Sequence, residues 1–437
     1  MTFPNASLFP ITTEVTTNDH LSIGGCDLSN LANQFGTPLY IFDEETLRDM
    51  CRQFVKEFTS RYENTKVLYA SKAYTNVSIA NIIHQEGLGI DVVSGGELAV
   101  ALAAKLPCSQ IYFHGNNKSV EELTMAINNN IGKIVIDSFH ELDLVNKIAA
   151  NNKTTQAVML RLSPGIDPHT HAKTTTGILD SKFGFSIETG DAKLAILETL
   201  SKDNIDLIGI HFHLGSPIFE LEPYSTAIDT VLTFLSDFKK DGLNLREFSP
   251  GGGFAIGYVQ NQLPPDISSY AEVITSTLND RAAQLGFEDV TLTIEPGRSI
   301  VGRAGVALYR VGGIKDIPTI RKYVSLDGGM GDNIRPALYD SQYEAVVANR
   351  ISDKPEEIVT LAGKYCESGD LLIKDICLPK LNTDDLIAIP SSGAYAPSMA
   401  SNYNLNPRPA IVIVKEGNPR LIRRRETYED MMSLDIQ

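Results

Sequence analysis

Between about residues 65 and 297 the apolar positions alternate between two rhythms. Short β-rich runs give way to stretches with three-to-four-residue spacing, and then the runs return. Eight such runs are present: VLYASK from Val67, LGIDVV from Leu88, IYFHG from Ile111, KIVID from Lys133, AVMLRLS from Ala157, LIGIHFHLGS from Leu207, EFSPGGG from Glu247 and VTLTIEPG from Val290. Helical patterns such as Val120 to Asn128 and Tyr224 to Lys240 lie between them. Eight strands with intervening helices predict an α/β fold, a closed (β/α)8 TIM-like barrel. A doubly wound open sheet is the alternative. After Arg298 the helical rhythm stops, and GVALYRVGGIK, YVSLDGG, DLLIKDICLP and DLIAIP read as strands broken by Gly and Pro. The first 44 residues also lack a βα rhythm, and LYIFD from Leu39 reads as a strand. The expected division is therefore a barrel over 45–300 and a mostly β, sandwich-like or Greek-key domain built from 1–44 and 301–437.

Barrel enzymes carry their chemistry at the C-terminal ends of the strands. Here the first run ends in Lys72, the sixth in His213-Leu214-Gly215-Ser216, the seventh in Gly251-Gly252-Gly253 and the eighth in Glu295-Pro296-Gly297-Arg298. Consecutive glycines between strand and helix let backbone N–H groups approach a phosphate, although a tight turn without a ligand uses the same residues. Lysine is rarely buried without a partner. A desolvated Lys72 can bond covalently to a carbonyl cofactor, and a phosphate cradle opposite makes that cofactor pyridoxal 5'-phosphate. Glu295 fits the same chemistry, because a carboxylate beside the pyridine nitrogen keeps it protonated. Aldolases and racemases use similar electronics. His211, on the same strand face as His213 but deeper, reads as packing or support.

Composition narrows the partners. The formal charge of -16 over 437 residues argues against nucleic acid and anionic membranes, which need a cationic footprint. The one basic run, Arg423 to Arg425, leads into Glu426, Glu429 and Asp430 and reads as a helical, solvated face with local ion pairs. Five cysteines without a C-x-x-C pair suggest neither a disulfide framework nor a zinc site, so reduced thiols and no metal are expected. The N-terminus lacks a signal-peptide pattern and no run is long and apolar enough for a membrane span, which gives an expectation of a cytoplasmic enzyme acting on a small molecule.

Longer motifs sharpen this. GTPLYIFDEETLR, YASKA, DVVSGGELAVA, HGNNKS, DSKFGF, HFHLGS, GGGFAIGY, EPGRSIVG, DGGMGDNIRPALY, CESGD, GAYAPSMASNYNLNPRPA and RRRET follow one another through nearly the whole chain. They resemble the alanine-racemase-like, fold type III pyridoxal-phosphate decarboxylases, and the wider pattern is similar to the branch acting on diaminopimelate. Tyr74 and Pro250 depart from it. The resemblance implies that Lys72 bonds the cofactor, that His213 stacks on its ring, that Ser216, Gly252 and Gly253 lie at its phosphate, that Gly297 also binds the cofactor, and that Glu295 partners the pyridinium. It implies Cys366 as proton donor, Glu367 as ligand of the substrate ammonium, and Arg298, Arg335, Tyr339 and Tyr395 as the remaining substrate or cofactor contacts. The implied reaction is decarboxylation of meso-2,6-diaminopimelate to L-lysine in a homodimer with shared active sites, the β domain completing each site. A sister enzyme for D-ornithine, D-lysine or a carboxylated polyamine is the alternative. A non-catalytic homologue would have lost Lys72 or Cys366, and both are present.

Overall fold

A computed structural model describes residues 3–167, 175–177 and 179–436. Two compact units emerge: residues 50–255 with 265–297, and residues 1–49 with 256–264 and 298–437.

The first unit is the barrel. Its eight parallel strands are Thr65–Ala70, Gly89–Val92, Ile111–Phe113, Lys133–Ile136, Gln156–Ser163, Ile205–His211, Glu247–Gly251 and Thr291–Ile294. Each pairs with the next, and the eighth pairs with the first, so the sheet closes; the open-sheet alternative is excluded. Side-chain caps start several of the helices. Ser94, Ser119 and Ser138 accept backbone N–H groups as N-caps after the second, third and fourth strands, and Ser119 with Glu122 forms a capping box. Leu68, Tyr112, Val135, Met159 and Ile208 pack inside the barrel. Below them Glu247 is clamped by Lys66 and Lys133, each at 3.2 Å, and by the hydroxyls of Tyr112 and Thr293, each at 2.6 Å. That buried carboxylate is fully paired, which suits the base of a barrel rather than its reactive end.

The second unit is mostly β. Leu39–Asp43, every residue buried, lies between Gly305–Ile317, antiparallel, and Ala410–Lys415, parallel. The N-terminal segment therefore does return to the C-terminal sheet, as its LYIFD pattern predicts. Arg321–Leu326, Glu357–Ala362 and Leu371–Leu378 extend one side, and Asn418–Arg423 the other. Phe9, Leu28, Ile41, Val306, Leu308 and Val412 belong to its core.

One local expectation fails. Arg423 closes a hairpin strand opposite Ile411, and helix is confined to Tyr428–Met432, where Thr427 supplies the cap. The ion pairs are present nonetheless: Arg424 with Asp430 and Arg408 with Glu426. Among the described residues no helix is long and apolar enough to cross a membrane.

Candidate active site

The ends of the sixth, seventh and eighth strands are pressed together so tightly that side chains would collide. A Cβ on Gly252 would lie 2.1 Å from the Glu295 carbonyl oxygen, and one on Gly253 2.5 Å from that of Gly215. Gly253 also has φ +108°, closed to most L side chains. Tyr224 fixes the turn by donating its hydroxyl to the Gly252 carbonyl at 2.9 Å. Gly297 plays the same part on the other side, where a Cβ would meet the Ala70 carbonyl oxygen at 2.9 Å and the Ala73 Cβ at 3.2 Å. With Ala70 N–H donating to the Pro296 carbonyl at 3.0 Å, this ties the end of the eighth strand to the turn that carries Lys72.

That turn, Ser71–Ala73, is a single 3-10 turn whose Ser71 and Ala73 are buried. Tyr69 closes it with a 2.5 Å hydrogen bond to the Tyr74 carbonyl. Lys72 itself is exposed, which corrects the expectation of a desolvated amine: the strand ends at Ala70, and the side chain extends from a fixed backbone into the open mouth. Its positive charge nonetheless acts on Asp91, His114, His211 and His213.

The eighth strand ends in a buried carboxylate. Glu295, 6 % exposed, accepts from the Ser249 hydroxyl at 2.9 Å and lies 3.1 Å from His211 Nε2. Among the described residues no lysine or arginine stands within 4 Å of it. His114 Nε2 lies 3.6 Å from Glu295 and 3.9 Å from Asp91, and both that nitrogen and Asp91 Oδ1 lack a hydrogen-bond partner. Burial pushes the Asp91 carboxyl up. Burial also pushes His114, His211 and His213 well below the usual imidazole range, so all three are neutral at pH 7. His213, only half-buried, accepts the Gly252 N–H at Nδ1, 3.3 Å away. Ser216 follows in the same loop, partly exposed.

The predicted substrate residues occupy the second unit. Arg298 and Arg335 are 6 % and 5 % exposed. Arg298 donates to the Tyr258 hydroxyl at 2.6 Å and its guanidinium lies 4.7 Å from the Tyr395 ring centre. Arg335 donates to the Tyr343 hydroxyl at 2.6 Å and lies 4.7 Å from the Tyr258 ring. Burial raises the Tyr258 phenol, but the two guanidiniums outweigh it and hold it below the usual phenol range. No carboxylate pairs with Arg335 among the described residues, Asp332 included. Asp332 Oδ2 instead accepts the Gly329 N–H at 2.9 Å. Tyr395 has φ +66°, a costly conformation for an aromatic residue. Tyr339 is half-buried at the end of the short helix Arg335–Tyr339.

Cys366 and Glu367 are exposed on a loop with a rigid base. Asp370 accepts N–H groups from Met330 at 2.6 Å and Tyr365 at 2.9 Å, while Cys366 N–H reaches Asn404 Oδ1 at 2.9 Å. Tyr365 and Tyr403 stack beneath, with centroids 5.9 Å apart.

Asp91, His114, Ser249, Tyr258 and Tyr343 escape a reading of the sequence alone. The signal for three of them is present: Asp91, His114 and Ser249 interrupt or end otherwise apolar barrel strands.

A family profile described as pyridoxal-dependent decarboxylase, pyridoxal binding domain, matches residues 45–302. The chain belongs to the pyridoxal-dependent decarboxylases. It is 45 % identical to the diaminopimelate decarboxylase of Bacillus subtilis over 95 % of both chains, and 42 % identical to that of Halalkalibacterium halodurans over 97 % of both. The crystal structure of diaminopimelate decarboxylase from M. jannaschii in complex with L-lysine aligns with a TM-score of 0.92 at 35 % identity, covering 98 % of each chain. The barrel mouth fits the cofactor of pyridoxal-dependent decarboxylases on its own chemistry. A buried carboxylate without a cationic partner matches a protonated ring nitrogen, and an amine on a fixed turn matches a carbonyl.

Proposed function

We propose that this protein decarboxylates meso-2,6-diaminopimelate to L-lysine and carbon dioxide with pyridoxal 5'-phosphate as cofactor. The observation that carries the substrate assignment is the buried guanidinium of Arg335, which faces the phenols of Tyr343 and Tyr258 with Arg298 on the other side of Tyr258. A buried cation answered by phenols forms a site for an anion, and a second carboxylate at the far end of the substrate meets that demand. A substrate ending in a bare amine would leave Arg335 buried without a counter-charge.

Lys72 would hold the cofactor covalently. Ser216, Gly252 and Gly253 would hold its phosphate end, with Gly297 beside the cofactor, His213 would contact the ring, and Glu295 would keep the proton on the ring nitrogen. The bound cofactor supplies an electron sink for the bonding pair left by the departing carboxylate. Arg298 and Arg335, with Tyr339 and Tyr395, would anchor the distal end of the substrate and so convert its binding energy into orientation of the reacting end. Glu367 takes the distal ammonium. Cys366 delivers the proton to the carbon that has lost its carboxylate. The protein works as a homodimer in which Cys366 and Glu367 serve the partner's site.

Purified holoenzyme given meso-diaminopimelate should release one carbon dioxide per L-lysine formed. Faster turnover of D-ornithine, D-lysine or a carboxylated polyamine would overturn the substrate assignment.

A further inference from the structure

Nothing in the reaction above uses His211, although its ring is 1 % exposed and directed at Glu295. We propose that His211 is a positioning residue whose single N–H holds the Glu295 carboxylate, as an anion, toward the cofactor's ring nitrogen. This rests on Glu295 being the partner of that nitrogen.

A neutral imidazole has one N–H, and its two nitrogens have different surroundings: Nε2 lies 3.1 Å from Glu295 Oε2, whereas Nδ1 is buried with no hydrogen-bond partner among the described residues. The tautomer is thereby assigned, with the proton on Nε2. The other carboxylate oxygen is held independently. Ser249 accepts the Gly251 N–H at 3.1 Å, which leaves its own proton to donate to Glu295 Oε1 at 2.9 Å. Each oxygen therefore receives one donor, so the orientation of the carboxylate is held from two sides. A charged imidazolium would defeat the purpose, because it would neutralise Glu295 and compete with the ring nitrogen. Burial keeps His211 neutral, and the Arg161 and Lys72 cations push in the same direction. His114 packs edge-on, its ring centre 4.8 Å from that of His211 at 74°, and blocks rotation of the ring away from Glu295.

Two measurements test this. In wild-type protein with 15N-labelled histidine, His211 should appear as the neutral Nε2–H tautomer from pH 6 to 8, and an imidazolium or Nδ1–H signal would overturn the proposal. In holoenzyme reconstituted with cofactor 15N-labelled in the ring, His211→Phe should move the ring-nitrogen resonance toward the unprotonated form. It should also lower kcat by about ten- to a hundredfold, the usual range for a supporting hydrogen bond of this kind, with KM changed far less. His211→Gln places a donor near the former Nε2 and should restore most of both signals. An unshifted ring nitrogen in His211→Phe, or equal impairment of the two variants, would sink the idea. Glu295→Gln separates the two levels. If it leaves the ring nitrogen unshifted, the reading of Glu295 fails; if it shifts the nitrogen while His211→Phe does not, only the role of His211 fails.

Discussion

Lys72 combines an exposed side chain with a backbone held in place. Its backbone is locked by the Tyr69–Tyr74 bond and by the close approach of Gly297, yet its amine is exposed. Borohydride reduction of holoenzyme should therefore fix the cofactor's mass to the peptide containing Lys72, and Lys72→Ala should abolish that adduct; an adduct surviving on another lysine would reject the assignment. Arg335 is the opposite case, a cation held rigid by Tyr343 and Tyr258. Replacing it with Met should raise KM for meso-diaminopimelate by roughly ten- to a hundredfold, the equivalent of a charge-assisted hydrogen bond of about 1.5–3 kcal/mol. A substrate lacking the distal carboxylate should lose much less, and equal losses would remove the proposed role. Lys72, Glu295 and Arg335 could be read from the sequence because each is a charged residue at a strand end or in a long motif. Tyr258 and Tyr343 could not, since an aromatic residue in a loop carries no sign of which cation it will face. Ser249 and His114 lay within runs already read as strands, and only their polarity against apolar neighbours marked them.

At the scale of elements, the turn that feeds the helix Arg335–Tyr339 is built around Asp332. Its main-chain carbonyl takes the Tyr40 hydroxyl at 2.8 Å, and its carboxyl sits over Gly328 and Gly329. Burial pushes the Asp332 carboxyl up to about 7. Because that value exceeds the one in an unfolded chain, folding favours the protonated acid. The contribution to stability is full below about pH 4 and is lost as pH rises through about 7, by a few kcal/mol at most. Denaturant titrations of wild type and Asp332→Asn should diverge across this window, with the variant flatter; parallel curves would show that Asp332 is ionised in the fold throughout. The helix expected from Arg423 onward shows the limit of local reading here. Charged residues at helical spacing suit either structure, and the hairpin that pairs Arg423 with Ile411 decided for strand.

For the whole molecule, the proposed exchange of Cys366 between partners has a quantitative signature. Inactive Lys72→Ala and Cys366→Ala proteins, mixed equally and allowed to exchange, should form hybrids in half of the dimers, each with one intact site. Activity should return to about a quarter of wild type. A mixture that stays inactive after mass spectrometry confirms exchange would show that Cys366 serves its own chain or is not the donor. The barrel was legible because its strands and helices repeat in order along the chain, so that each element signals itself. The β unit was less so. Gly305–Ile317 and Ala410–Lys415 both take Leu39–Asp43, far away in sequence, as a partner, and no local rhythm announces that pairing.

That long-range pairing has a consequence for the order in which the protein can be made. Leu39–Asp43 leaves the ribosome early, but its two neighbours in the sheet, Gly305–Ile317 and Ala410–Lys415, follow only after on the order of 260 and 370 further residues. All eight barrel strands are synthesised in the interval and need nothing from Ala410–Lys415 to close their ring. During elongation the nascent chain therefore carries a buried-type strand, LYIFD, with both edges bare. A ribosome stalled before Ala410 would hold a closed barrel tethered to an unpaired apolar edge, which is the kind of surface that chaperones bind.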